Sequence, residues 1–154
     1  MLEGKDKKIL RELLKNGRIS FANLGRKCHM TRQSVFSRIK SLKNKGIIKN
    51  FTVNISKKKI GLNVVAYILI DTEPLREFKR DELKNLINLP QISEIHHIYG
   101  RYSFIMEIYA KDMDELSGII KKIHELKYVR RTETLIVYCT EKYMPQHPVE
   151  GILK

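Results

Sequence analysis

The chain has 154 residues with 30 Lys+Arg against 17 Asp+Glu, a formal net charge of +13, and 42% of its residues are hydrophobic. That much apolar side chain buries a core, which excludes a disordered basic tail, and no apolar run approaches the roughly 18 residues of a membrane span. The start, MLEGKDKK, lacks the apolar stretch of a secretory signal, so a soluble, cytoplasmic protein is expected.

The charge is unevenly distributed. Residues 1–63 hold 17 Lys+Arg and three acids, a net +14, whereas residues 64–154 stand at −1. So one-sided an excess calls for a polyanionic partner, nucleic acid first and a membrane surface second. The composition shift at 60–63 predicts a basic module over 1–62, a neutral module over 63–142 and an irregular tail over 143–154 that carries Pro145 and Pro148. Cys28 and Cys139 stand far apart with no CxxC spacing, and are expected to be buried thiols rather than a disulfide or zinc ligands.

In the basic module, Asp6 caps or opens a first helix with Ile9, Leu10, Leu13 and Leu14 on one face, and Gly17 stops it. Ser20 is a good N-cap for a second helix that turns Leu24 and Cys28 inward. His29-Met30 leaves room only for a tight turn before Thr31 caps a third helix. Measured from Val35 at about 100° per residue, Ile39 lies near +40° and Leu42 near −20°, a buried stripe. Gln33, Ser37 and Lys40 fall at about 160°, 200° and 140°, facing away from that stripe, flanked by Ser34, Phe36 and Ser41. Gly46 ends this helix, and the alternation of Phe51, Val53 and Ile55 predicts a strand over 47–55.

Two short helices, a tight turn and a third helix with a small-polar outer face make a helix-turn-helix. Gln pairs with adenine, Ser reads a donor or an acceptor, and Phe36 suits a thymine methyl, while Arg38 and Lys40 are expected on phosphates. A membrane surface requires a wide Trp/Phe/Leu face, and the third helix keeps its apolar side narrow.

The neutral module is predicted as strand 64–71, a helix carrying Phe78, Leu83, Leu86 and Ile87 after Pro74, strands 92–99 and 104–110 around Gly100, a helix opened by an Asp112/Glu115 capping box, and strand 129–140. The second helix is expected to bury Met113, Leu116, Ile120 and Ile123. This βαββαβ order specifies a ferredoxin-like sandwich, so the fold class is α+β, a helix-turn-helix followed by a ferredoxin-like domain.

Taken together, Asp6-x-x-Ile9-Leu10, Gly17-Arg18-Ile19-Ser20 and Thr31-x-x-Ser34-Val35-x-x-Arg38-Ile39-x-x-Leu42-x-x-x-Gly46-Ile47-Ile48 resemble the Lrp/AsnC, or feast/famine, transcription regulators. The resemblance continues through Lys59-Ile60-Gly61, the turn at Gly100 and Arg131-Thr132-x-Thr134-x-Ile136-Val137. It implies a winged helix-turn-helix joined to a regulatory ferredoxin-like domain that dimerises, often assembles into octamers, and binds small effectors, usually amino acids, between regulatory domains. Arg38 matches the family arginine of the recognition helix, and Thr31 and Ser34 match its small-hydroxyl positions. Contacts with double-stranded DNA are expected from Arg18, Ser20, Thr31, Arg32, Gln33, Ser34, Phe36, Ser37, Arg38, Lys40 and Ser41. The effector is expected at Gly100, Arg101, Tyr102, Ser103, Thr132 and Thr134.

Many effector-binding relatives carry Gly-Asp-x-Asp where this chain reads Gly100-Arg101-Tyr102-Ser103. An Asp there pairs with an ammonium, whereas Arg101 reverses the local charge and Ser103 offers a neutral hydroxyl. A protein that ignores ordinary amino acids, or takes a different effector, is therefore expected. No cofactor and no metal are implied: His96 and His97 are strand neighbours pointing to opposite faces, and no nucleophile-base pair or glycine-rich phosphate loop is recognisable. Two rivals stand beside the regulator. A DNA-wrapping architectural protein without an effector would lose to bulk genomic DNA in competition. A relative of the haem-precursor decarboxylases would use His96, His97 and Arg101, but has no need of a +14 module, and this chain has no tryptophan.

Overall fold

The computed structural model describes residues 2–72 and 80–153, and of residues 80–83 the backbone alone. The expectations placed on Pro74, Phe78 and the Leu83 side chain lie outside the described residues. The chain divides into two compact units, Met1–Asn54 with Lys142–Lys154, and Ile55–Glu141. The break comes before Ile55 rather than after residue 62, and the tail belongs to the first unit instead of standing apart.

The first unit is built from α1 (Gly4–Lys15), α2 (Phe21–Cys28) and α3 (Arg32–Asn44). Ile9, Leu24, Cys28, Val35, Ile39, Leu42 and Ile48 form its core. The predicted caps of α2 and α3 are both made: the Asn23 amide donates to Ser20 Oγ at 3.2 Å and the Ser34 amide donates to Thr31 Oγ1 at 3.1 Å. Each satisfies one of the orphan donors of a helix start. Asp6 behaves differently. It sits in the first turn of α1 and its carboxylate turns to α3 instead of capping.

Two expectations fail in this unit. No strand forms over 47–55; residues 49–56 have no regular structure, with Phe51, Val53 and Ile55 exposed. The alternation is strand-like, but no neighbouring segment of the described chain offers it a hydrogen-bonding edge. The tail is not irregular throughout. Residues His147–Ile152 form a short helix, α6, with Pro148 in its opening turn, where a missing amide costs nothing. Leu153 is buried, and Lys7 Nζ donates to the Ile152 carbonyl at 3.3 Å, fixing the tail to α1.

The second unit begins with a single 3-10 turn, Lys58–Ile60, closed by Gly61 at φ 95°, a left-handed conformation that favours glycine. Then come β1 (Val64–Thr72), α4 (Arg80–Ile87), β2 (Ile92–His97), β3 (Phe104–Ala110), α5 (Met113–His124) and β4 (Val129–Ile136). The strands pair antiparallel throughout in the order β2-β3-β1-β4, the ferredoxin-like topology expected from the element order. On β1 and β3 alternate residues are buried, Ala66, Ile68 and Ile70 opposite Ile108, Met106 and Phe104, and they pack against Leu86 of α4 and Leu116, Ile119 and Ile123 of α5. Of the residues expected to be buried on α5, Leu116 and Ile123 are, whereas Met113, the first residue of the helix, is 49% exposed and Ile120 is only partly buried; Ile119, which was not expected, is buried. The last strand stops at Ile136 rather than running to residue 140.

The α5 capping box is made in a modified form. The Glu115 amide donates to Asp112 Oδ1 at 2.8 Å, but Glu115 returns its carboxylate to the Lys111 amide, one residue further out. That contact, with Gln91 donating to the other oxygen, holds the Glu115 carboxyl below the usual carboxylate range.

Candidate nucleic-acid interface

The third helix organises the site. Val35, Ile39 and Leu42 are buried, which forces the opposite face outward, and Gln33, Ser37, Lys40 and Ser41 are exposed there, as is Arg32 at the helix start. Ser34 is half-buried and its amide is held by Thr31. Phe36 is exposed too, with its ring edge-on to Phe21 at 6.0 Å between centroids, so its position is fixed by α2 rather than free. Arg18 and Ser20 are exposed in the approach to α2; the Arg18 amide donates to Asn16 Oδ1 and Ser20 is committed to its cap.

Arg38 does not stand with the others. Its Nη1 donates to Asp6 Oδ1 at 2.8 Å and to Glu3 Oε2 at 2.9 Å. Asp6 first and Glu3 second raise the guanidinium's pKa. Asp6 is only 8% exposed and Arg38 is half-buried, so the pair is a partly buried strut between α1 and α3 rather than a loose surface contact. Both contacts run through Nη1, with Asp6 on α1 and Glu3 as its N-cap residue, so α1 gives the guanidinium a partner within the fold beside the phosphate expected for it.

The turn that sets the angle between α2 and α3 is tighter than its sequence announces. His29 adopts a left-handed conformation at φ 55°, and the Met30 amide donates to the Gly25 carbonyl at 2.8 Å. A Cβ on Gly25 would lie 2.6 Å from the Met30 carbonyl oxygen, inside any real contact distance. Gly25 therefore lets the chain pass close over α2. Its only sequence signal is a glycine inside a helical pattern just before a turn.

In the second unit, the expected effector residues are close to one another but largely engaged. Gly100 has φ 141° in the β2–β3 turn. Arg101 is exposed, 5.6 Å from the centroid of the Tyr102 ring. The Tyr102 hydroxyl donates to the Glu133 carboxylate, which raises the phenol's pKa, and Glu133 is a residue the sequence reading passed over. Ser103 Oγ is 2.9 Å from Thr72 Oγ1, and Thr132 Oγ1 is 2.6 Å from His124 Nε2. Thr134 is half-buried opposite Ile68. No unengaged carboxylate from the turn faces a ligand ammonium, because the turn contains none.

His96 and His97 do point to opposite faces. His97 stacks on Phe104 at 4.7 Å, and His96 is exposed with Glu94 Oε2 3.0 Å from its Nε2. Among the described residues no group of three metal-ligating side chains comes together. Cys28 is buried, with burial pushing its thiol pKa up, but Cys139 is exposed beyond the end of β4, contrary to expectation.

Residues 2–49 match the model for winged helix-turn-helix DNA-binding domains, and residues 65–146 match the model for the Lrp/AsnC ligand-binding domain. The chain belongs to the Lrp/AsnC family. This regulator is 34% identical to the transcriptional regulator AzlB of Bacillus subtilis over 152 residues, 97% of each chain. It superposes on AsnC of E. coli with a TM-score of 0.87 at 26% identity, covering 94% of this chain and 97% of that one. A transcriptional regulator from Neisseria meningitidis, solved as its L-methionine complex, shares the fold at a TM-score of 0.82 and 20% identity over 97% of this chain and 99% of that one. The Lrp/AsnC regulator is thus a DNA-binding transcription regulator with an α+β fold, and no helix among its described residues is long and apolar enough to cross a membrane.

Proposed function

We propose that the regulator binds duplex DNA sequence-specifically by laying the exposed face of α3 in the major groove, as a cytoplasmic homodimer. The observation that carries this is the segregation on α3: Gln33, Ser37 and Lys40 are exposed opposite a buried Val35/Ile39/Leu42 stripe, within the part of the chain that holds the +14 excess. Gln33 and Ser37 read base edges, Lys40 holds a phosphate, and the Arg38 strut fixes the helix that carries them. Two α3 helices of a dimer then meet successive major grooves about 10 base pairs apart, or a multiple of that.

A second copy is the partner that the exposed apolar residues best fit. Phe51, Val53 and Ile55 alternate on a segment without a strand partner. The face of the sheet turned away from the helices presents Tyr67, Leu69 and Ile105, with Leu135 47% exposed. The final strand and β1 supply most of this surface, and higher assembly up to an octamer builds on such dimers.

The Gln33→Ala and Ser37→Ala variants should each relax preference at one position of DNA selected from a random pool, by about 1–3 kcal/mol of discrimination, with affinity for unselected duplex little changed. Equal losses on every sequence would contradict base reading by these side chains.

A small effector acts on residues 65–146, and the turn chemistry makes it something other than an ordinary neutral amino acid. With Arg101 in place of an acid, calorimetric titration with the twenty amino acids should give no saturable heat from neutral ones, or heat only from acidic ones. Clear binding of several neutral amino acids would overturn this part of the reading.

A further inference from the structure

The first helix has two unlike edges. Measured from the buried Ile9, Asp6 lies at about +60°, the edge that meets Arg38 of α3. Lys8, Arg11 and Lys15 lie at about −100°, −160° and −120°, turned from α3. Against this second edge the end of α2 and its turn bring Lys27, Cys28 and His29, and the space between is an open cleft of about 220 Å³.

The cleft's charge is not balanced from within. It is lined by four permanent cations and one carboxylate, Glu12. Both Glu12 oxygens are taken, Oε1 by Lys15 and Oε2 by Lys27 at 2.8 Å each, and these bonds pull its pKa down to about 2. Lys15 and Lys27 also sit in the last turns of their helices, where the dipole favours a cation, so both have a structural reason to be there. Lys8 and Arg11 have no such reason. They sit mid-helix, and neither has an acidic partner among the described residues. Two like charges one turn apart on a helix repel by roughly a few tenths of a kcal/mol, a repulsion that a bound anion would relieve. At the floor the Cys28 thiol stays neutral, since burial raises its pKa.

We propose that this cleft is a second anion site, separate from the outward face of α3, that takes phosphoryl groups. Arg11 supplies a fork of donors to phosphate oxygens, Lys8 a point charge beside it, and Lys15 and Lys27 the surrounding field. Phosphate reaches it from a free polyphosphate or from a length of duplex other than the one lying on α3.

The test uses the full chain with inorganic tripolyphosphate, by calorimetry at low ionic strength, and with mixed-sequence duplexes of about 20 and about 60 base pairs. Lys8→Ser/Arg11→Ser is compared with Lys58→Ser/Lys59→Ser, which removes the same charge from the exposed turn of the other unit. The expected result is saturable tripolyphosphate binding that weakens at least about tenfold in the Lys8/Arg11 variant and less than about twofold in the control pair. Were the natural source DNA, tripolyphosphate would bind poorly, and the longer duplex would gain affinity over the shorter one in the parent but not in the Lys8/Arg11 variant. Absence of both effects, or equal losses in the two variant pairs, would overturn the proposal and leave only net charge.

Discussion

Replacing Arg38 with Ala should destabilise the first unit by about 3 kcal/mol, because it strands the Asp6 carboxylate, 8% exposed, without its counter-ion. The loss is larger than for an ordinary surface pair, which is worth roughly 0–1 kcal/mol, because a largely buried charge is left uncompensated rather than returned to water. Asp6→Leu/Arg38→Met tests the cause. Removing both charges should recover most of the stability, and the cycle of single and double variants should give a coupling of about 1–3 kcal/mol. Thermal unfolding with DNA affinity measured below the transition separates the two roles available to Arg38. A strut leaves the double variant binding DNA nearly as well as the parent. A phosphate ligand would leave it folded and weak.

Gly25→Ala should cost about as much by a different route. The added methyl meets the Met30 carbonyl oxygen at 2.6 Å; the oxygen belongs to the backbone and the methyl is fixed rigidly to it, so neither can move aside without opening the turn. About 3 kcal/mol is expected, on the order of 10–20 °C in the melting temperature of so small a unit. The α2–α3 angle should change with it, so DNA binding should fall by more than the folded fraction does. Gly118→Ala is the control: it is mid-helix in α5, with nothing within 4 Å of its added Cβ. Ala is there the better helix former, and that variant should be neutral or slightly stabilised.

What sequence could and could not show follows the range of each interaction. Ser20 and Thr31 were legible as caps because donor and acceptor lie three residues apart. The stripes of α3 and the alternation of β1 and β3 were legible because periodicity is local. The Arg38–Asp6 contact was not, since nothing local joins residues 32 positions apart, and an arginine on a recognition helix has a plausible partner in DNA. The strand expected over 47–55 failed for a related reason: alternation reports a preference for pairing, while a strand also needs an edge to pair with, and the described chain supplies none. Pro145 and Pro148 suggested an irregular tail, yet Pro148 falls in the one turn of α6 that tolerates it, and Leu153 is buried. At the β2–β3 turn the missing acids were legible residue by residue, whereas Glu133, brought to Tyr102 by the pairing of β4 with β1, was not.

The same range argument sets the division of labour on α3. Gln33, Ser37 and Lys40 are exposed because Val35, Ile39 and Leu42 are not, and Arg38, one step around the helix, is withdrawn by α1. The most direct measurement is the affinity of the intact regulator for duplex DNA across a series of salt concentrations, with the parent beside Lys40→Ala. Binding that is tight at low salt and falls linearly in log–log form, with the slope shallower by about 1 in Lys40→Ala, is the expected result. A regulator indifferent to duplex at low ionic strength, or one whose slope Lys40→Ala leaves unaltered, would contradict the docking of DNA on this face.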